Sequence, residues 1–240
     1  NVFFLTGTDE HGLKIQREAE KNNKETKIFC DEVSAKFKKL TNILNLSTDD
    51  FIRTTEKRHH NSVKAIWNKL VESGDIYLSK YKGWYSVSDE AYYTEDEILN
   101  DGENKIAKSS GSKVDWFEEE SYFFKLSTWQ EKLLDHYKKN PNFISPKSRN
   151  NEITKFVKSG LNDLSVSRTS FKWGIQVPNT DNHIVYVWLD ALTNYISALN
   201  YPDTDHKIYK DFWPANIHII GKDILRFHAV YWPAFLMAAK

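Results

Sequence analysis

The chain has little of what usually betrays a function. One cysteine, Cys30, stands in 240 residues, which excludes an intrachain disulfide and a multi-cysteine metal cluster and suits a reducing compartment. Acidic and basic side chains balance at 33 each. No global basic field therefore advertises nucleic acid, and any RNA contact has to be a local patch. No apolar run reaches the roughly 18–20 residues of a membrane span, and no signal peptide is visible. Neither Gly-x-Gly-x-x-Gly nor a P-loop occurs. Those two absences remove the commonest nucleotide-binding classes without removing nucleotide binding. Internal repeats and long low-complexity tracts are missing too.

What is present is enough apolar material for a real core. At 40% hydrophobic and 14% aromatic, with eight Trp, a chain of this length buries about 70% of its unfolded surface in one or two domains. Disorder is excluded by the same numbers. Cys30 reads as a buried helical thiol.

A pattern occurs three times: a short apolar run that breaks into small and polar residues opening a helix-like stretch. Val2–Thr6 runs into Gly7-Thr8-Asp9-Glu10-His11-Gly12, Ile184–Val187 into Trp188-Leu189-Asp190-Ala191-Leu192-Thr193-Asn194-Tyr195, and Ile217–Ile220 into Gly221-Lys222-Asp223-Ile224-Leu225-Arg226-Phe227-His228. Such runs predict buried strands of a parallel sheet. Ligands of open α/β sheets sit beyond the carboxyl ends of the strands. If the three strands share one sheet, their ends converge on a pocket holding two carboxylates, a lysine, histidines and an indole.

Between these runs the periodicity predicts helices over Gly12–Glu20, through Phe29, Val33, Phe37, Leu40 and Leu44, and through Val63, Ile66, Trp67, Leu70 and Val71, the last closed by Gly74. From Ser79 the texture alternates (Tyr81, Trp84, Tyr85, Val87, Tyr92, Tyr93) as in short antiparallel strands. Asn100–Gly111 reads as a surface loop. Helices follow through Leu126, Trp129, Leu133 and Tyr137, halted by Pro141, and through Ile153, Phe156 and Val157, capped near Gly160. Ser165–Pro178 reads as extended. The expected fold class is α/β: a Rossmann-like parallel-sheet nucleotide-binding core over 1–78 and 184–240, its first strand absent, interrupted by a connective α+β insertion over 79–183. Both ends read as cuts in a longer polypeptide.

Three readings stand for Asp9: a cap of the following helix, half of an Asp-x-His metal pair, or a carboxylate placed to take a cation such as an ammonium group. Trp188, Leu192 and Tyr195 recur about one turn apart, as core or as the wall of an apolar pocket. Gly221-Lys222-Asp223 places a cation and a carboxylate at a helix start, suited to phosphate and ribose. His228, among aromatics, is of a kind more often satisfied core than site. His59 and His60 read as surface residues of a helix.

Taken together and in order, LTGTDEHG at 5–12, YKGWYSVSDEAYY at 81–93, YVWLDALTNY at 186–195 and IIGKDILRFHAVYWPAFLMAA at 219–239 resemble the methionyl-tRNA synthetase family of class I aminoacyl-tRNA synthetases. The resemblance covers essentially the whole chain. It implies that Asp9 holds the methionine ammonium group. Trp188, Ala191, Leu192, Tyr195, Ile224 and His228 surround the thioether, with Phe227 at the edge. Gly221 and Asp223 contact ATP ribose and adenine, and Lys222 lies near the phosphates. It also implies ATP with Mg2+, L-methionine and tRNA(Met) as ligands, no catalytic nucleophile, a cytoplasmic and monomeric enzyme, and no structural zinc, since no cysteine falls between 81 and 125. The His-Ile-Gly-His and Lys-Met-Ser-Lys-Ser segments of that family are absent from these residues, so these 240 alone are expected not to aminoacylate. A leucyl, isoleucyl or valyl enzyme, or a non-catalytic methionine-binding module, are the competing readings. Apolar contacts discriminate only about 1–3 kcal/mol per methylene; a polar reporter of sulfur is needed, and Tyr195 and His228 are the candidates.

Overall fold

The structure is a computed structural model describing every residue except Glu90 and Glu103, and the backbone but not the side chain of Tyr81. The first strand, β1 (Leu5–Thr8), sits later in the chain than the apolar run suggests. Val2 and Phe4 remain 83% and 41% exposed. Its partner was not legible in the sequence. β2 (Asp50–Arg53) lies parallel to it, Leu5 opposite Asp50 and Thr8 opposite Arg53, but its charged ends disguise the strand. A side chain at position 7 would force the strands apart: a Cβ on Gly7 would lie 2.0 Å from the Ile52 carbonyl oxygen.

Two helices make the crossover between these parallel strands, α1 (Leu13–Lys21) and α2 (Thr26–Ile43), as parallel pairing requires. The expected apolar face of α2 is only partly used: Phe37, Leu40 and Leu44 stay 53%, 43% and 58% exposed. α3 (Lys57–Glu72) follows, burying Val63, Ile66, Trp67 and Leu70 on one face, and the chain leaves it at Gly74 with φ +75°.

Next comes an antiparallel sheet in the order β4 (Ala91–Tyr93), β3 (Ile76–Ser86), β7 (Lys113–Phe124), β6 (Asn104–Ala107), β5 (Ile98–Asp101), with the short β8 (Leu164–Ser165) on β7. The expected loop at 100–111 is in part the hairpin β5–β6. Its buried apolar residues, Ile98 and Ala107, pack with Val114 against Trp84 and Tyr93, too small a set to read as strands. Glu90 of the alternating stretch lies outside the described residues. Helices α4 (Gln130–Lys139) and α5 (Lys147–Lys158) fall where periodicity places them.

The second and third apolar runs depart from expectation. The second forms β10 (Ile184–Val185), antiparallel to β9 (Ser167–Arg168). It then turns at once into α6 (Val187–Leu192) and α7 (Asn194–Ser197). The third forms no strand. After α8 (Lys207–Phe212), Ile217 and Ile219 are 78% and 95% exposed, because a strand needs a neighbour to complete its ladder and among the described residues none pairs with 217–220. Parallel pairing among the described residues is therefore confined to β1 and β2. A 3₁₀ turn at Lys222–Ile224, a π-helical turn at Phe227–Tyr231 and α9 (Trp232–Ala238) close the chain. One continuous core links Leu70 of α3, Phe124 of β7, Leu133 of α4, Val157 of α5, Val185, Leu192 and Phe235 of α9.

Candidate functional site

Just beyond β1 the chain reads Asp9-Glu10-His11-Gly12. Glu10, 3% exposed, anchors this loop. It accepts from Arg53 Nε and Nη2 at 2.7 and 2.9 Å, from Thr8 Oγ1 at 2.7 Å and from Thr55 Oγ1 at 2.5 Å. Burial alone would raise the Glu10 carboxyl; Arg53 and the two hydroxyls override it and hold it below the usual range. Sequence reading gave Glu10 no role, and only the fold brings Arg53 beside it.

Asp9 is left free by this arrangement. The helix that follows begins at Gly12 with no side-chain cap, so the capping reading fails, and among the described residues no donor bonds the Asp9 carboxylate. No trio of His, Cys, Asp or Glu placed to hold a metal occurs among them either. Asp9 keeps accessible surface while protein crowds it at longer range. That crowding, and then the Asp190 charge, push its carboxyl up to about 6. A carboxylate raised in this way is stabilised by any cation that reaches it.

Behind Asp9 lies a buried polar cluster. Asp190 is 1% exposed, with Oδ2 2.6 Å from His11 Nδ1 and Oδ1 2.6 Å from His59 Nε2. The other His59 nitrogen is 3.0 Å from Ser197 Oγ. The surface reading of His59 and His60 is thus overturned: His59 is 0% exposed and His60 Nε2 is buried without a hydrogen-bond partner among the described residues. Residue 59 precedes Val63, Ile66 and Leu70 by helical steps on the same buried face, and that spacing was the signal to read. Burial would lower the His11 imidazole, but the adjacent Asp190 carboxylate raises it overall. Burial would likewise raise Asp190, and the two imidazoles hold it far below the ordinary carboxylate range.

Trp188 of α6, Tyr195 of α7 and Phe227 and His228 of the π turn form the aromatic wall. Trp188 stacks on Phe227 with ring centroids 3.6 Å apart and planes 7° from parallel. The Tyr195 hydroxyl meets His228 Nε2 at 2.7 Å, and His228 Nδ1 lies 2.9 Å from the Ile224 carbonyl. That carbonyl only accepts, so Nδ1 carries the proton and Nε2 accepts from Tyr195. Burial keeps His228 below its ordinary value, hence neutral near pH 7. Burial first, and then the charge of Asp9, push Tyr195 up to about 12. The π turn that bears Phe227 and His228 is a feature concentrated at functional sites.

Of the expected residues, then, Trp188 and Phe227 form one contact pair and Tyr195 and His228 another, Ile224 joins the second through its carbonyl, and Asp9 is linked to Tyr195 only through its charge. Ala191 and Leu192, 5% and 1% exposed, back the wall from within the core. Gly221, Lys222 and Asp223 lie on an exposed turn, one helical step before His228. A cavity of about 440 Å³ opens beside Tyr195, lined by residues 1–5 and 212–219.

A parallel β–α–β unit carries the Asp9 carboxylate just beyond its first strand, and Tyr195 of the Tyr195–His228 pair lies within reach of its charge. Residues 1–240 match the family described as tRNA synthetases class I (M), and the chain belongs to that family. Its relatives narrow the class. Methionine–tRNA ligase of Rickettsia felis is 57% identical over 240 residues, covering 100% of this chain and 46% of its own length. That of Rhizobium meliloti is 57% identical over 238 residues, 99% of this chain and 46% of its own. The chain thus spans about half the length of the curated relatives it matches. The Mycobacterium tuberculosis methionyl-tRNA synthetase bound by methionyl-adenylate superposes with a TM-score of 0.98 at 50% identity, over 100% of this chain and 47% of that one. The free form of that enzyme gives 0.85 at 42% identity, over 99% and 53%.

Proposed function

We propose that the protein is a methionine–tRNA ligase and that these residues supply its methionine site and part of its ATP site. The observation that carries this is Asp9, a raised carboxylate with no hydrogen-bond partner among the described residues, whose charge reaches Tyr195 of the Trp188–Phe227 and Tyr195–His228 set. The ammonium group of L-methionine binds Asp9 through a charge-assisted hydrogen bond worth about 1.5–3 kcal/mol. The thioether lies against Trp188 and Tyr195, since sulfur favours aromatic neighbours. With its hydrogen committed to His228, the Tyr195 oxygen is fixed in place as the polar feature beside the sulfur.

Gly221 and Asp223 hold the ribose and adenine of ATP, and Lys222 lies by the phosphates. Mg2+ arrives with ATP as part of that substrate. A methionine carboxylate oxygen attacks the α-phosphorus, the bond to the bridging oxygen breaks, and pyrophosphate leaves. The tRNA(Met) terminal hydroxyl then attacks the acyl carbon and AMP departs. No side-chain nucleophile takes part; the chain orients the reactants and meets their charge. We assign 79–183 as the connective insertion between core segments 1–78 and 184–240. We further propose a cytoplasmic monomer without structural zinc. Thermal-shift titration of the full-length protein with methionine, leucine, isoleucine and valine tests the substrate: methionine gives the largest rise in melting temperature, and equal shifts for all four overturn the assignment.

A further inference from the structure

Asp190 spends both of its oxygens on imidazoles from different parts of the fold, His11 from the loop after β1 and His59 from α3, at 2.6 Å each. Ser197 of α7 extends the bridge through His59 at 3.0 Å and is itself fixed by donating to the Thr193 carbonyl at 2.9 Å. All four are nearly inaccessible: 5%, 1%, 0% and 1% for His11, Asp190, His59 and Ser197. Desolvating such a group costs several kcal/mol per ion, and an apolar replacement of the same volume is often more stable. Stability alone therefore explains the bridge poorly, whereas fixing a register explains it well. His11 is two residues from Asp9, and Asp190 is two residues from Trp188. His11 is also wedged between the His60 and Trp173 rings, each 5.5 Å away, and the Trp173 indole donates to the Glu10 carbonyl at 2.5 Å. The loop therefore has one seat only.

We propose that Asp190 is a positioning residue for amino-acid binding: through His11 and His59 it fixes the span between the ammonium-binding carboxylate at position 9 and the aromatic wall that begins at position 188. The inference rests on the methionine reading of that pocket. Substrate groups held even 1 Å out of place lose on the order of a hundredfold in rate or affinity.

The test is Asp190→Asn in the full-length protein, a change that keeps volume and removes charge, followed by ATP–pyrophosphate exchange and proton NMR. Methionine KM rises at least about tenfold while ATP KM stays within about twofold, and the low-field imidazole N–H resonances of the two short bonds disappear. His11→Gln, which cuts only the loop arm, raises methionine KM in the same direction, and the double variant is no worse than Asp190→Asn alone because both cut one tether. If Asp190→Asn does not fold, the His11→Gln result decides. Unchanged methionine KM in a folded variant, equal rises for methionine and ATP, or multiplying effects overturn the inference. Wild-type protein without methionine-dependent exchange overturns the reading of the pocket itself.

Discussion

Acidification is the sharpest probe of Asp9. Its carboxyl is pushed up to about 6 by the protein crowded around it and by Asp190, and only the ionised form takes an ammonium group. With that value the ionised fraction is about nine-tenths at pH 7 and one-tenth at pH 5, so methionine KM rises about tenfold between them. Binding must also expel a proton near pH 6, because the bound cation draws the carboxyl back down. Burial drives His60 and His218 down to about 4, so they stay largely neutral above pH 5, while burial lowers His228 and the Asp190 carboxylate raises His11. The assay is methionine KM from ATP–pyrophosphate exchange between pH 5 and 8 at saturating ATP, with calorimetry in two buffers to count the proton. Asp9→Asn removes the acid limb and costs about 1.5–3 kcal/mol of methionine binding, roughly ten- to a hundredfold. The sign for stability is opposite. A carboxyl whose folded value lies above its unfolded one makes the protein less stable as pH climbs through that interval. Asp9→Asn therefore stabilises the free protein at pH 7, by on the order of 1 kcal/mol once the residue's solvent contact is discounted. A methionine KM that is flat from pH 8 to 5 refutes the ammonium role.

The remaining predictions concern the wall and the strand. Trp188→Ala opens the pocket and lowers discrimination between methionine and leucine in the exchange assay; undiminished discrimination makes the indole mere core. Tyr195→Phe deletes the hydroxyl that meets His228 and weakens methionine binding by about 0.5–1.5 kcal/mol, read by calorimetry, with melting almost unmoved. Gly7→Ala forces a methyl group against the Ile52 carbonyl and lowers stability by at least about 1–3 kcal/mol, measured by urea unfolding.

What the sequence displayed and what it hid divide along a physical line. The helical face of α3 was legible because Val63, Ile66, Trp67 and Leu70 repeat at the period of a helix that must bury one side. The turns after Thr8 and Val185 were legible because an apolar run met small and polar residues, although the second run pairs antiparallel with β9 and not in one sheet with β1. β2 was hidden because a four-residue strand bounded by Asp50 and Arg53 carries too little apolar surface to announce itself. The third run misled in the other direction. Ile217–Ile220 has the composition of a strand, but composition cannot supply the neighbouring ladder that makes one.

His59 shows why the inner part of the site was the least legible. Its spacing from Val63 places it on the buried face, yet a histidine there is acceptable only if something far away in the chain supplies a carboxylate, and Asp190 lies 131 residues on. Buried polar groups are satisfied by partners that no local pattern encodes. The apolar periodicity of α3 and the strand-to-helix breaks at Asp9 and Trp188 bring the segments together, and the His11–Asp190–His59 bridge then fixes their register. The consequence is separable: losing an apolar residue of α3 lowers stability while the folded variant keeps its methionine affinity, whereas losing the charge on Asp190 lowers stability and also the methionine affinity of the folded variant. A set of variants in which both kinds of change lower stability and affinity in proportion contradicts that division of labour.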